Sequence, residues 1–164
     1  MNIIVAVDSN WGIGCDNKLL YNIPADMQHF KRLTDGKIVV MGKNTLLSLP
    51  NSKPLKNRIN IVLSNSVTEI ENAIVCNSIE QLLKTVKQYN SDDVFVIGGQ
   101  IVYEELLDYC SYAYITKIHT ALPADRFFPN IDNKANWELV NKSAVQAHGE
   151  LEYTFCEYRN LSVK

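Results

Sequence analysis

The sequence predicts a single α/β domain whose sheet is mainly parallel with an antiparallel C-terminal edge. Short β-branched runs alternate with amphipathic helical segments in the N-terminal part, and strand-like segments then follow one another without helices. No repeat or Pro/Gly/Ser-rich linker divides the 164 residues. A chain of this length buries a sizeable core without disulfides or metal. We therefore expect one domain over residues 1–164.

Four nearly continuous apolar runs predict strands that are buried on both faces. They lie at residues 3–7, 38–41, 59–63 and 94–97. Helices cover both faces of a parallel sheet, so its strands lose the polar alternation of half-exposed strands. These runs are therefore expected at the centre of the domain.

Helical segments are predicted between the strands, at residues 24–33, 45–49, 78–89 and 102–109. The first begins with Pro24, which suits a first helical position, and places Met27 and Phe30 on one stripe. The third opens with Ser78 and Gln81 at capping-box spacing. Both signals favour helices over loops.

The C-terminal part changes character. Residues 112–119, 137–140 and 151–159 are strand-like and have no helix between them. His148-Gly149 predicts a hairpin turn between the last two. This order indicates the antiparallel edge.

Composition argues against several classes of protein. With 16 basic and 18 acidic residues the net charge is -2, so no overall positive field attracts nucleic acid or an anionic membrane. No apolar run reaches the ~20 residues that span a bilayer, and Met1-Asn2 leads into the first strand without a charged leader. The four cysteines lie far apart. We expect a reduced, cytoplasmic protein.

Several motifs of known chemistry are missing from the sequence. The histidines, His29, His119 and His148, are dispersed, so no zinc site is expected. The string 12–14, Gly-Ile-Gly, is followed by Asn17 where a dinucleotide fingerprint has its third glycine. A standard Rossmann fold is therefore not predicted.

Two strand-to-helix junctions are candidate anion sites. One strand runs into Gly98-Gly99, whose bare backbone amides suit a diphosphate, although a tight packing turn explains the same pattern. The string 41–45 repeats the arrangement and adds the cation of Lys43 and the hydroxyl of Thr45; an exposed lysine beside a helix cap is the alternative. Two such junctions in one small sheet favour a dinucleotide.

Asp26 is the candidate ionisable group. It either complements the dipole of its helix or faces a ligand. Met27, Phe30 and the apolar segment 19–23 surround it in the sequence, and a carboxylate against such walls has its pKa raised. It is thus a candidate acid or an anchor for a cationic heterocycle. Arg58 is either a bidentate grip on a carboxylate or a solvated side chain at a strand start.

Taken in order, these strings resemble the dihydrofolate reductase family from Ile3 to about Tyr158. The matching strings are Ile13-Gly14, Asn22-Ile23-Pro24-Ala25-Asp26-Met27 with Phe30-Lys31-Arg32, Met41-Gly42-Lys43-Asn44-Thr45, Val96-Ile97-Gly98-Gly99-Gln100 with Val102-Tyr103-Glu104, Tyr114-Ile115-Thr116 and Phe127-Phe128-Pro129. Each string alone is weak, whereas the ordered set is specific. The resemblance implies an eight-stranded sheet with four flanking helices and an adenosine-binding subdomain at about residues 38–88.

The resemblance also implies the substrate site of an oxidoreductase that reduces 7,8-dihydrofolate to 5,6,7,8-tetrahydrofolate. Asp26 would bind the pterin edge, supported by Thr116, and Tyr21 stands where the family usually has tryptophan. The implied ring contacts are Val5, Ala6, Leu19, Met27, Phe30, Leu49, Leu55, Ile97 and Tyr103, with Arg58 on the glutamate α-carboxylate.

NADPH is the cofactor that the resemblance implies. Its implied contacts are Ala6, Ile13, Gly14, Asn17, Leu19, Gly42, Lys43, Asn44, Thr45, Leu63, Ser64, Asn65, Ile97, Gly98, Gly99, Gln100, Ile101, Val102 and Tyr103. Hydride would pass from nicotinamide C4 to pterin C6, and water admitted by the loop 9–23 would deliver a proton to N5. Lys43 stands where the family commonly has arginine, and Ile101 stands where some members have a basic residue. The preference for a 2'-phosphate is therefore expected to be less strict.

The resemblance implies a monomeric enzyme that acts in folate and one-carbon metabolism. Its expected partners are dihydrofolate and antifolate-type molecules, and neither nucleic acid nor a membrane is expected. Two alternatives stay open at this point. One is a reductase of the same fold that acts on a ribosylated pyrimidine in flavin synthesis. The other is a non-catalytic nucleotide-binding module in which Asp26 is only a cap.

Overall fold

A computed structural model describes all 164 residues of the chain. Its strands are β1 (Asn2–Val7), β2 (Gly12–Cys15), β3 (Lys18–Leu19), β4 (Ile38–Gly42), β5 (Ile59–Leu63), β6 (Ile74–Cys76), β7 (Val94–Gly98), β8 (Tyr112–Ile118), β9 (Arg126–Phe127), β10 (Trp137–Lys142), β11 (Gln146–His148) and β12 (Leu151–Asn160). Its α-helices are α1 (Pro24–Thr34), α2 (Lys43–Ser48), α3 (Ile79–Val86) and α4 (Gln100–Leu106).

The main sheet has the strand order β10-β12-β8-β1-β7-β4-β5-β6, and β11 pairs with β12. All pairs from β8 to β6 are parallel. The pairs that involve β12 are antiparallel. The predicted fold class, an α/β sheet with an antiparallel C-terminal edge and four helices, is confirmed.

The core lies on both faces of this sheet because side chains alternate along each strand. In β4, Val40 joins the main cluster of 24 buried residues, whereas Val39 and Met41 join a smaller cluster with Leu46 and Val62. This two-sided burial explains the continuous apolar runs of the sequence. None of the helices is long and apolar enough to cross a membrane.

The helix ends follow local signals. Ser78 Oγ accepts from Gln81 N at 3.1 Å, which confirms the predicted cap, while Gln81 Oε1 accepts from Asn77 N at 2.8 Å. Helices α2 and α4 begin at Lys43 and Gln100, each two residues earlier than predicted. Both follow a glycine directly, so the strand, the glycine turn and the helix are continuous.

The segment predicted as a loop at residues 9–23 contains two short strands. Strand β2 pairs with β3 on one side and with β9 on the other, in a separate sheet of order β3-β2-β9, which we call the flap. The C-terminal hairpin also differs in detail. Its turn lies at Gly149-Glu150 and joins β12 to the additional strand β11, not to β10.

Candidate active site

A cavity of about 1250 Å³ opens between α1, the flap and the carboxyl ends of β4 and β7. Ligands of open α/β sheets bind at this edge, because the strands there lead into loops and helix starts. All but three of the residues predicted for the site line this cavity. The exceptions are Leu55, Arg58 and Thr116.

Asp26 lies in the first turn of α1 and its carboxylate lines the cavity. Burial raises its pKa, and a hydrogen bond from Thr116 opposes that increase in part. Thr116 is buried on β8 and donates through Oγ1 to Asp26 Oδ1 at 2.5 Å. The predicted upward shift of the pKa therefore agrees in direction with the environment of the carboxyl group.

Apolar side chains form the walls beside this carboxylate. Met27 and Phe30 belong to the stripe of α1 that faces the cavity instead of the core, and Met27 is 46% exposed. Leu49 and Ile97 line the cavity too and pack against the smaller core cluster. An exposed apolar wall around one carboxylate suits a flat heterocycle with a polar edge.

Two tyrosines line the cavity. Tyr103 is buried and donates to the Ile4 carbonyl at 2.9 Å. Burial, and then the charge of Asp26, raise the pKa of Tyr103. The Tyr21 hydroxyl is buried without a hydrogen-bond partner, and burial followed by the charge of Asp8 raises the pKa of Tyr21. Tyr21 lines the cavity, but its hydroxyl oxygen is buried from solvent and unpaired.

The glycine junctions form a narrow cradle. Gly98 has φ 135°, and the Gly98-Gly99 peptide bond is cis. A β-carbon on Gly98 or Gly99 would lie 3.1 or 3.3 Å from Thr45 Oγ1. A β-carbon on Gly42 would lie 3.2 Å from Val102 Cγ2. Side chains at these glycines would fill the cradle, so the backbone is free to approach a diphosphate closely.

Polar side chains line the other end of the cavity. Lys43 Nζ donates to Ser66 Oγ at 3.3 Å, and the Ser64 and Ser66 hydroxyls lie 3.2 Å apart. Asn77 Nδ2 donates to the Ser64 carbonyl at 2.6 Å and so fixes this turn. Ser66 and Asn77 were missed by the sequence prediction. The run of polar residues that begins at Ser64, directly after a buried strand, could have predicted Ser66 as a site residue.

Arg58 and Leu55 lie outside the cavity lining and are held by neighbours. Arg58 Nε and Nη2 each donate to Thr34 Oγ1 at 3.2 Å, and Nη1 donates to the Lys56 carbonyl at 2.7 Å. The side-chain amide of Asn60 accepts from Leu55 N and donates to the Leu55 carbonyl, both at 2.9 Å. The predicted role of Arg58 as a carboxylate clamp stays a prediction.

The flap is held by two carboxylates that the sequence prediction missed. Buried Asp8 accepts from Gly12 N at 2.8 Å through Oδ1 and from Leu122 N at 3.2 Å through Oδ2. Asp125 Oδ2 accepts from Asp16 N at 3.0 Å. The bonds from Leu122 N and from Asp16 N join segments distant in sequence, so they help to place the flap over the cavity.

Comparisons with known proteins agree with this geometry. A family model described as dihydrofolate reductase matches residues 1–160. The chain is 37% identical over 161 residues to the dihydrofolate reductase of Bacillus subtilis (strain 168), covering 96% of this chain and 93% of that protein. It is 36% identical over 158 residues to the Haemophilus influenzae dihydrofolate reductase, covering 96% and 87%. A viral dihydrofolate reductase of Saimiriine herpesvirus 2 is 35% identical over 182 residues, covering 98% and 85%.

Proposed function

The chain belongs to the dihydrofolate reductase family, and from that premise we propose that NADPH is its cofactor and Asp26 its ionisable catalytic group. It is an oxidoreductase that reduces dihydrofolate to tetrahydrofolate with a nicotinamide cofactor. The observation that carries our proposal is a half-buried carboxylate beside apolar walls, in one cavity with a glycine cradle.

The Asp26 end of the cavity holds the pterin. Its carboxylate accepts hydrogen bonds from the 2-amino and N3 edge, while Met27 and Phe30 pack against the ring. The hydroxyl of Thr116 fixes the carboxylate, since it donates to Oδ1. Arg58, tethered by Thr34, binds the glutamate α-carboxylate from outside the lining of the cavity.

When bound, the nicotinamide supplies the hydride that reduces the pterin. The protein orients the two rings and controls the proton. The negative charge of Asp26 favours a proton on the pterin. Because this carboxylate binds the 2-amino and N3 edge, away from N5, a water molecule delivers the proton to N5. The Tyr21 hydroxyl, which has no partner in the protein, orders that water. The flap excludes bulk solvent.

The cofactor's phosphates occupy the glycine cradle and the polar end of the cavity. Backbone amides at Gly98 and Gly99 bind the diphosphate, since no side chain fills the cradle. Lys43 binds the 2'-phosphate together with the hydroxyls of Ser64 and Ser66, which lie within hydrogen-bond distance of one another. A lysine offers a point charge without the planar fork of arginine, so NADPH is preferred over NADH but less strictly than with arginine.

The two alternatives are not favoured. A pyrimidine reductase of flavin synthesis would need a polar phosphate pocket where Met27 and Phe30 form an apolar wall. A non-catalytic binding module disagrees with the family match over residues 1–160. We also propose that the protein is cytoplasmic, which its four free cysteines support. We propose further that it is a monomer that binds antifolate-type molecules and no nucleic acid.

The test is to mix the purified protein with NADPH and dihydrofolate and to follow nicotinamide absorbance. We expect one NADPH to be consumed for each dihydrofolate, and slower consumption of NADH at equal concentration. Reactions without dihydrofolate control for oxidation by oxygen. No consumption of NADPH would overturn the proposed function.

A further inference from the structure

The side chain of Gln100 joins the first turn of α4 to the flap. Its Oε1 accepts from Phe127 N at 2.9 Å, and its Nε2 donates to Glu104 Oε1, also at 2.9 Å. A carboxylate can only accept hydrogen bonds and a backbone N–H can only donate. Glu104 therefore fixes the orientation of the Gln100 amide, with its oxygen towards Phe127.

Phe127 belongs to β9, the flap strand that pairs with β2 beside the cavity. It pairs with Gly12 in β2, and Gly14 in the same strand pairs with Leu19 in β3. Gly12, Gly14 and Leu19 all line the cavity. One hydrogen bond and two strand pairings thus connect Gln100 to the flap residues that line the cavity.

The other hydrogen bonds that hold the flap do not reach the glycine cradle. Asp8 and Asp125 join the flap to its own flanking segments. Phe128 packs edge-to-face on Tyr103 of α4, with ring centroids 5.0 Å apart, but this is an apolar contact between two buried rings. Gln100, in contrast, follows directly on Gly99 of the cradle.

We propose that Gln100 is a positioning residue whose side chain couples cofactor binding in the glycine cradle to closure of the flap. The proposal rests on the proposed function, because it requires a dinucleotide at Gly98-Gly99. A cofactor held there fixes the backbone of Gln100, which aligns its amide oxygen with Phe127 N. Coupling is reciprocal, so the closed flap also slows loss of the cofactor.

The test compares Gln100→Met with the wild-type enzyme by hydrogen exchange and by cofactor dissociation. Methionine is a good helix former of similar length and has no strong acceptor for Phe127 N–H. NADPH is expected to raise the exchange protection of β2 and β3 amides in the wild-type enzyme. In Gln100→Met that gain falls, and NADPH dissociates faster, each by about 2- to 10-fold, the range for one hydrogen bond. Amides of β1 report the unchanged core.

Two further variants separate coupling from stability. Glu104→Gln is the matched control: its side-chain oxygen can still accept from Gln100 Nε2, and the donor-only Phe127 N–H still selects the Gln100 oxygen, so wild-type coupling is expected. Glu104→Leu leaves Gln100 in place without its orienting partner, and a partial loss of the protection gain is expected. If Gln100→Met shows the full gain in exchange protection and the wild-type rate of NADPH dissociation, the inference is overturned. The proposed function would stay intact in that case, because the enzyme would still bind NADPH and turn over. A wild-type enzyme that binds no NADPH would overturn both.

Discussion

Thr116 and Asp26, 90 residues apart in the chain, are joined by a hydrogen bond of 2.5 Å from the threonine hydroxyl to the carboxylate. The bond connects β8 near the middle of the sheet to the first turn of α1. It lowers the pKa of Asp26, whereas burial, the larger effect, raises it. The carboxylate that we propose as catalytic is thus held in position by a group that also favours its ionised form.

Thr116→Val is expected to raise the pKa of Asp26 further, because the opposing hydrogen bond is lost while burial remains. The measurement is an NMR titration of the Asp26 carboxyl carbon in the ligand-free protein. Thr116→Ser keeps the hydroxyl and is the matched control. An unchanged or lowered pKa in Thr116→Val would show that the hydroxyl does not stabilise the charged carboxylate.

Asp26→Asn is expected to increase thermal stability near neutral pH. Because the folded-state pKa is raised, the carboxyl group's contribution to stability is present below its unfolded pKa of about 3.9 and is lost as pH rises through the folded value. The advantage of asparagine should therefore disappear in acid. Thermal unfolding of both proteins at neutral and acidic pH measures it. Glu150→Gln, in the exposed hairpin turn, controls for the loss of one negative charge; a less stable Asp26→Asn at neutral pH would contradict the prediction.

Tyr21→Phe is expected to leave the free energy of unfolding within about 0.5 kcal/mol of wild type, because the hydroxyl has no partner in the protein to lose. Turnover should fall by about 10-fold, the effect of losing one hydrogen bond to ordered water. Steady-state kinetics and urea unfolding measure the two effects. Tyr21→Trp supplies an N–H donor in place of the hydroxyl and should recover part of the rate. Wild-type turnover in Tyr21→Phe would contradict the proposed role of the Tyr21 hydroxyl in ordering water.

Lys43→Ala is expected to weaken the binding of NADPH by about 10-fold and the binding of NADH much less. The reason is that the lysine, which contacts Ser66, is proposed to bind the 2'-phosphate that only NADPH carries. Equilibrium titrations of the two cofactors measure the difference. Lys87→Ala, at the end of α3, controls for a general loss of positive charge. Equal losses for NADPH and NADH would remove the phosphate assignment.

Much of the fold was predictable because the buried strands carry their own signal. The apolar run that begins at Ile38 predicted β4 since both of its faces are covered. Ser78 predicted the start of α3 because its cap is local in sequence. The Gly98-Gly99 turn was likewise predictable as the junction between a strand and a helix, and its role as a ligand site stays a prediction.

The rest depends on contacts that no local pattern contains. The flap strands are short and glycine-containing, and β2 pairs with β9 far along the chain. The tether between Arg58 and Thr34, and the bond between Gln100 and Phe127, join residues with no shared sequence pattern. Asp8 looks like a loop residue in the sequence, yet it is buried because three backbone N–H groups bind it.

The most direct test of the account is the rate of hydride transfer from NADPH to dihydrofolate, measured in single turnovers across pH for wild-type enzyme and Asp26→Asn. Near neutral pH we predict a rate at least about 100-fold lower in the variant, because the charge that favours the substrate proton is lost. The difference should narrow in acid, where substrate arrives already protonated. Equal rates at every pH would contradict the role of Asp26.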